Sequence, residues 1–352
     1  MPQSLVLDGR AVSFRPGQTV LEVARENGVR IPTLCHHRKT GPLGRCRVCV
    51  VEVEGQRGLP TSCNLDARDG MVVRTSTERV LRARRMLVNL LLSSGEHNCL
   101  SCEKSGRCEL QEVAYELGIE APAFLTPGPP HEVDDSSEMI VLDNRKCILC
   151  GRCVVACDEV VGNEVLGTGN KGFGAKIVCD LDLPMSRSTC VQCGECVQAC
   201  PVGAIVDKKA VGKGRAWKTE EVDTTCPYCG VGCQVTLHVD RAANRIVRVT
   251  GREVPPNDGT LCVTGRYGYE FPSSGKRLSS PMVRKAGGLV AVSWDEALDF
   301  TARRLGEIVK AHGPDAFSAF GSGRLTNENN YAIAKFTRAA IGTNNVDNCA
   351  RT

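Results

Sequence analysis

Aromatic residues are scarce, 4% of 352 positions. That is little for a chain long enough to hold two or three domains with separate apolar cores. No run approaches the roughly eighteen apolar residues of a membrane-spanning helix. The opening MPQSLVLDGRAVSF lacks the basic then apolar pattern of a secretory leader. The expectation is a cytoplasmic chain with no membrane span. Nor is there strong charge of one sign: the formal net charge is +4 with every cysteine counted neutral. Arg82, Arg84 and Arg85 fall at the polar positions of an amphipathic helix, so no nucleic-acid partner is implied. What the chain does have is cysteine. There are 21, an odd number in tight groups, and in a reducing compartment this points to metal ligation rather than disulfides.

LVLDGRAVSF reads as a hairpin about Asp8–Gly9, Thr19 with Glu22 as a capping box for a helix ending at Gly28, and RVCVVEVEG as a strand. Together they predict a β-grasp unit ending near residue 75. Thr75 and Glu78 form a second capping-box pattern, with Val80, Leu81, Leu87, Leu90 and Leu91 as the apolar stripe of the helix that leads to Cys99. ELQEVAYEL closes at Gly118 before the Pro-rich, acidic linker APAFLTPGPPHEVDDSSE. RKCILCGRCVVAC and STCVQCGECVQAC share their cysteine spacing and a Gly between the second and third cysteines, an internal duplication. DKKAVGKGRAWK links this repeat to VTLHVD and RIVRVTG, read as hairpin strands. Ser293 and Glu296 then cap a long helix, followed by the strand DAFSAF and another helix through Ala340. This is the start of an α/β domain, with no helix or strand expected after NNVDNCART to conclude it.

In a cubane cluster each iron takes tetrahedral coordination from soft thiolates, so a short loop of closely spaced cysteines can wrap one. Cys147, Cys150, Cys153 and Cys157 pair with Cys190, Cys193, Cys196 and Cys200, the last followed by Pro201. In two-cluster ferredoxins the fourth cysteine of each run serves the other cluster. One [4Fe–4S] is therefore expected on Cys147, Cys150, Cys153 and Cys200, and a second on Cys190, Cys193, Cys196 and Cys157. Zinc, which favours paired C-x2-C knuckles, fits this spacing poorly. Cys35, Cys46, Cys49 and Cys63 taken alone could bind zinc or an iron–sulfur group. Cys99, Cys102 and Cys108 supply three thiols, and His97 is the candidate fourth ligand, since imidazole can replace thiolate in such sites. Cys226, Cys229, Cys233 and the distant Cys262 suit a further [4Fe–4S], with zinc a stronger competitor. Cys179 and Cys349 belong to no group and read as ordinary buried thiols. Five redox centres in sequence imply an electron relay.

On these motifs residues 1 to about 208 resemble the N-terminal modules shared by the complex I large iron–sulfur subunit, iron-only hydrogenases and NAD-linked formate dehydrogenases. TTCPYCGVGCQVTLHV with LCVTGRYGYEF is similar to the cluster-binding entry domain of molybdopterin oxidoreductases, and TNENNYAIAKFTRAAIGTNNVDNCART resembles formate dehydrogenase catalytic subunits. The resemblance implies [2Fe–2S] on the first group. In related modules the ligand histidine stands four positions before the first cysteine, where this chain has Gly95. The family's lysine between cluster and pterin is here Thr264, and Arg266 is the candidate cofactor-binding residue in its place.

The expected architecture is an α+β modular iron–sulfur protein. It comprises a β-grasp [2Fe–2S] domain (1–76), a helical His/Cys [4Fe–4S] domain (77–120), a double [4Fe–4S] ferredoxin domain (138–209), a small β-rich [4Fe–4S] domain (219–275) and an incomplete α/β molybdopterin oxidoreductase domain (276–352).

The resemblance further implies molybdenum or tungsten on two pterin-guanine dinucleotides and interconversion of formate and carbon dioxide. Electrons would pass through one [2Fe–2S] and four [4Fe–4S] groups to a flavin-bearing, NAD-reducing diaphorase-type partner with clusters of its own, or to ferredoxin. In that family selenocysteine or cysteine follows C-A-R-x. The expectation is a chain read as stopping at a selenocysteine codon, lacking the catalytic ligand and inactive by itself toward formate. The rivals are a non-catalytic relay subunit of an NAD-linked hydrogenase, a complex I subunit, and a zinc scaffold.

Overall fold

The computed structural model describes residues 3–124 and 131–349. Part of the acidic linker, 125–130, and the end of the C-A-R-T motif, 350–352, lie outside the described residues. The chain divides into two compact units. The first holds the described residues up to Val222 with Leu237–Thr250 and Thr260–Tyr267; the second holds Asp223–Thr236, Gly251–Gly259 and the described residues from Gly268 onward.

The first unit begins with β1 (Gln3–Leu7) and β2 (Arg10–Phe14), antiparallel and joined through Asp8 (φ 46°) and Gly9 (φ 83°). Both turn residues occupy the left-handed region that a two-residue hairpin needs. Helix α1 (Val20–Glu26) starts at the expected box: the Glu22 N–H donates to Thr19 Oγ1 (3.2 Å) and the Thr19 N–H donates to the Glu22 carboxylate (2.8 Å). Thr19→Ala leaves a helix-end N–H without its acceptor. It should lower the unfolding free energy by about 1 kcal/mol, read as a drop in the chemical-denaturation midpoint.

The strand expected over RVCVVEVEG shrinks to β3 (Glu52–Val53). Ahead of it Arg47 sits at φ 61° and the backbone curls around Cys46 and Cys49 instead of extending. With β4 (Val72–Arg74), parallel to β1 and antiparallel to β3, the sheet order is β2-β1-β4-β3. Leu5, Leu7, Val20, Leu21 and Val73 pack as its core beneath α1.

Helix α2 (Glu78–Ser93) is capped by Thr77, which accepts the Val80 N–H at 3.3 Å, and not by Thr75. Thr75 donates both its N–H (2.7 Å) and its hydroxyl (2.6 Å) to the Asp8 carboxylate, tying the hairpin turn to the end of β4. Helix α3 (Glu109–Glu116) closes before Gly118 as expected.

Next come β5 (Val133–Asp134) and β6 (Ile140–Asp143), then α4 (Arg152–Val155), continued by a wider turn over Ala156–Val160. The antiparallel pair β7 (Leu166–Gly169) and β8 (Lys176–Cys179) precedes α5 (Glu195–Ala199) and β9 (Ile205–Asp207), giving a sheet of order β5-β6-β9. One apolar core runs through residues of all these modules, from Leu34 and Val88 through Leu110 and Ile140 to Tyr267, and it includes cluster cysteines. Shared burial of this kind explains how so few aromatics suffice: the small modules do not each close a core of their own.

Strands β10 (Glu220–Thr225), β11 (Gln234–Asp240) and β12 (Arg245–Gly251) form a three-stranded sheet in that order and contribute residues to both units. Helix α6 (Val263–Tyr267) follows Cys262 in the first unit.

The second unit contains an unforeseen hairpin, β13 (Met282–Lys285) with β14 (Gly288–Ala291), turned at Ala286–Gly287. The capped helix α7 (Trp294–His312) follows as expected, buries none of its residues, and leaves Trp294 and Leu298 exposed. DAFSAF supplies only β15 (Ala319–Gly321). After α8 (Asn327–Lys335), β16 (Val346–Asn348) within NNVDNCART runs parallel to β15. The pair with its crossover helix is a β-α-β unit. Among the described residues no helix is long and apolar enough to cross a membrane.

Candidate metal centres

Cys35, Cys46, Cys49 and Cys63 are all buried beside the β-grasp core. They fall into two hydrogen-bonded thiol pairs, Cys35 with Cys46 and Cys49 with Cys63. The thiol accepting its partner's hydrogen is held below the usual thiol range, Cys35 and Cys49, while the donating partners Cys46 and Cys63 are pushed up. Backbone donors add to this, the Cys46 N–H pointing at Cys35 Sγ from 3.4 Å. The buried Arg84 donates to the Val50 carbonyl at 2.8 Å, adding positive charge beside Cys49.

His97, Cys99, Cys102 and Cys108 line one small cavity with Ser105 and Gly203. His97 Nε2 lies 3.2 Å from the Leu91 carbonyl. Since a carbonyl only accepts, Nε2 carries the hydrogen and Nδ1 keeps the lone pair. Burial pushes the Cys108 thiol up to about 11 and lowers the basicity of His97. A methyl group on Gly203 would sit 2.5 Å from Cys102 Sγ. Gly203→Ala should therefore displace Cys102 and remove this one centre; a variant that keeps every wild-type iron signal would contradict the arrangement.

The duplicated runs present the same local device twice. Leu149 (φ 51°) and Gln192 (φ 53°) turn the chain so that each N–H donates 3.3 Å to the sulfur two residues earlier, Cys147 and Cys190. Gly151 (φ 81°) and Gly194 (φ 74°) then start α4 and α5 in the left-handed region that glycine tolerates. Cys147, Cys150, Cys153 and Cys200 line a common apolar cavity with Ile148, Ile177 and Ile205. Burial drives Cys147 and Cys150 up to about 12, with the Cys200 charge adding to the effect. Cys157 instead lies within electrostatic reach of Cys190, Cys193 and Cys196. The fourth cysteine of each run is thus placed with the opposite run. Thiols in such dry surroundings stay protonated unless a metal compensates the charge.

Among the described residues no three His, Cys, Asp or Glu side chains converge closely enough to hold a single ion. A cluster several atoms across needs its ligand sulfurs further apart than one ion does.

Cys226, Cys229 and Cys233 sit on the loop from β10 to β11 in the second unit, closed by the Cys226 N–H donating to the Cys233 carbonyl (2.8 Å). Cys262 is exposed in the first unit, and its sulfur accepts the Gly265 N–H at 3.4 Å. Cys179 is buried as expected, but Cys349 is exposed, with its thiol 3.3 Å from Ser322 Oγ. Arg266 departs from expectation as well. It is 2% exposed, and its guanidinium is taken up by Cys193, Gln198 and Glu195.

Sequence reasoning missed two buried ion networks. Arg152 and Glu195 occupy the same place in the two runs, directly after the shared glycine, and both are buried. Arg152 pairs with Glu109 and donates to the His36 carbonyl. Glu195 pairs with Lys39 and Arg266. A charged residue in a position flanked by ligand cysteines was the available signal.

Five domain families match in chain order. They are a 2Fe-2S iron-sulfur cluster binding domain over residues 2–78, the NADH-ubiquinone oxidoreductase-G iron-sulfur binding region over 84–122, a 4Fe-4S dicluster domain over 146–204, a molybdopterin oxidoreductase Fe4S4 domain over 219–274 and a molybdopterin oxidoreductase domain over 277–352. The NADPH-Fe(3+) oxidoreductase subunit alpha of Geobacter sulfurreducens is 37% identical over 99% of this chain and 40% of its own length. An NADH-quinone oxidoreductase subunit of Rhizobium meliloti is 39% identical over the same shares. A candidate formate dehydrogenase of Bacillus subtilis, YrhE, is 33% identical, also over 99% and 40%. The chain therefore spans about 40% of the length of these curated relatives. Among solved structures, a chain of an NAD+-reducing [NiFe]-hydrogenase in the H2-reduced state matches with a TM-score of 0.57 and 37% identity, over 60% of this chain and 90% of that one.

Proposed function

Because the chain belongs to the modular iron–sulfur and molybdopterin oxidoreductases, with an iron–sulfur region of the NADH-ubiquinone oxidoreductase-G type, we propose that it is the electron-relay portion of a formate dehydrogenase. On this reading Cys35, Cys46, Cys49 and Cys63 hold a [2Fe–2S] group, and His97 with Cys99, Cys102 and Cys108 holds a [4Fe–4S]. The crossed sets of the repeat hold two more, and the module matched over residues 219–274 a fourth. The observation that carries the proposal is the sorting of the repeat: Cys200 lines one dry cavity with Cys147, Cys150 and Cys153. When bound, the clusters supply one-electron carriers, and a molybdenum or tungsten pterin group supplies the two-electron chemistry of formate. The residues of this chain hold the carriers, keep water from the buried pairs of the repeat, and donate N–H bonds to ligand sulfurs. Such bonds favour the reduced state. No described residue is assigned to the pterin. The partner on this reading is a flavin-bearing, NAD-reducing subunit.

The likeness to the YrhE protein supports formate as the electron source. The hydrogenase chain, 90% of which is covered, favours the second reading, a relay subunit without formate chemistry. Anaerobically isolated protein should carry about 18 iron atoms per chain. In the full assembly formate should reduce these centres within the turnover time. Reduction by NADH with none by formate would select the relay reading. A colourless, iron-free protein would overturn both.

A further inference from the structure

Resting on the cluster assignment just proposed, we infer that Arg266 is a positioning and potential-setting residue for the Cys157, Cys190, Cys193 and Cys196 centre, delivered to it by the segment that carries Cys262. Every contact in this argument lies within the first unit. The Arg266 N–H donates to the Cys262 carbonyl at 3.0 Å, so its backbone is one hydrogen bond from that ligand residue. Its side chain reaches the other way: Nε–H donates to the Cys193 carbonyl (2.7 Å), Nη1 to Gln198 Oε1 (2.8 Å) and Nη2 to Glu195 Oε2 (3.1 Å). A single residue thus joins the backbones of ligands assigned to two centres.

The fit is close. Gly194, between Cys193 and Glu195, sits at φ 74°, and a Cβ there would overlap both Arg266 Cδ and Tyr267 Oη. The opposite side of Glu195 is held by Lys39, whose Nζ also donates to Thr260 Oγ1 at 2.8 Å, two residues before Cys262. Glu195 is therefore clamped between cations that both touch the Cys262 segment. The Arg266 guanidinium, withdrawn from water, places a positive charge against the Cys193–Cys196 loop, with Glu195 and Asp207 as the carboxylates facing it. Adding an electron to a centre there makes it more negative, so this charge favours the reduced form and raises its potential. Bound centres would supply one-electron exchange there, one losing and the other gaining a single electron with no bond made or broken, and Arg266 would hold the Cys193 loop against the Cys262 segment for it.

The test is an EPR-monitored redox titration of the full assembly. Arg266→Met should lower the midpoint of this centre and leave those of the [2Fe–2S] group and the Cys147, Cys150, Cys153 and Cys200 centre in place. Arg266→Lys should restore most of the shift. Glu195→Gln, which removes the negative partner, should move the same midpoint upward. A merely structural role would not give opposite signs for the two substitutions. Should Arg266→Met fail to assemble, the Glu195→Gln titration decides alone. An assembled variant with an unmoved midpoint overturns the inference while leaving the cluster assignment standing. Wild-type protein lacking this centre altogether would overturn the assignment itself.

Discussion

Cys200→Ala will abolish the centre built on Cys147, Cys150 and Cys153, and will spare the one built on the run in which Cys200 itself lies. The complementary change, Cys157→Ala, will remove the centre of Cys190, Cys193 and Cys196. The reason is spatial. After α4 and α5 each run turns away from its own first three cysteines, and the fourth is delivered to the opposite run. Cys200 lines the cavity of Cys147, Cys150 and Cys153, and Cys157 lies within electrostatic reach of Cys190 and Cys196. A three-thiolate site loses one iron's ligand, so the expected result is a [3Fe–4S] signature or loss of the cluster, with loss the larger effect in a dry cavity. Paired spectra of Cys150→Ala and Cys200→Ala should coincide and differ from those of Cys193→Ala. Coincidence of Cys200→Ala with Cys193→Ala would refute the crossed arrangement.

The second large effect is expected at Arg152. Its guanidinium donates to both Glu109 oxygens (2.6 and 2.8 Å) and to the His36 carbonyl (2.7 Å). One buried cation therefore ties together the residue after Cys35, the residue after Cys108 and the residue before Cys153. Breaking a fully buried pair costs on the order of 3–5 kcal/mol. Here the Glu109 side chain is 40% exposed and can be hydrated once released, so the cost falls below that of a fully buried pair. Arg152→Met should lower stability by about 2–3 kcal/mol, mostly from the stranded His36 carbonyl and the loosened packing. Arg152→Lys should recover part, since one ammonium cannot reproduce the fork. Denaturation followed by the visible cluster absorbance measures it. Unfolding of Arg152→Met indistinguishable from wild type would mean that the three loops are held by their cores alone.

Local signals determined much of this protein from the sequence. The Asp8–Gly9 turn, the Thr19–Glu22 box, the Ser293 cap and the shared Gly151 and Gly194 each depend on a few neighbouring residues, and all appear where expected. The cysteine spacings likewise identified iron–sulfur modules, because a cluster's coordination geometry is written into the short loops that wrap it. Tertiary structure decided what depends on distant partners. Thr75 was drawn to Asp8 and surrendered the cap of α2 to Thr77. The strand near Cys49 was cut short by the bend around its own thiols, and VDN became β16 only by pairing with β15. Arg266 shows the same limit in chemical terms. Its place after Cys262 suggested a cofactor contact, yet its charge is taken up by Glu195, a residue 71 positions away. A buried ion needs an opposite charge wherever the fold supplies one, and no spacing rule within a motif contains that information.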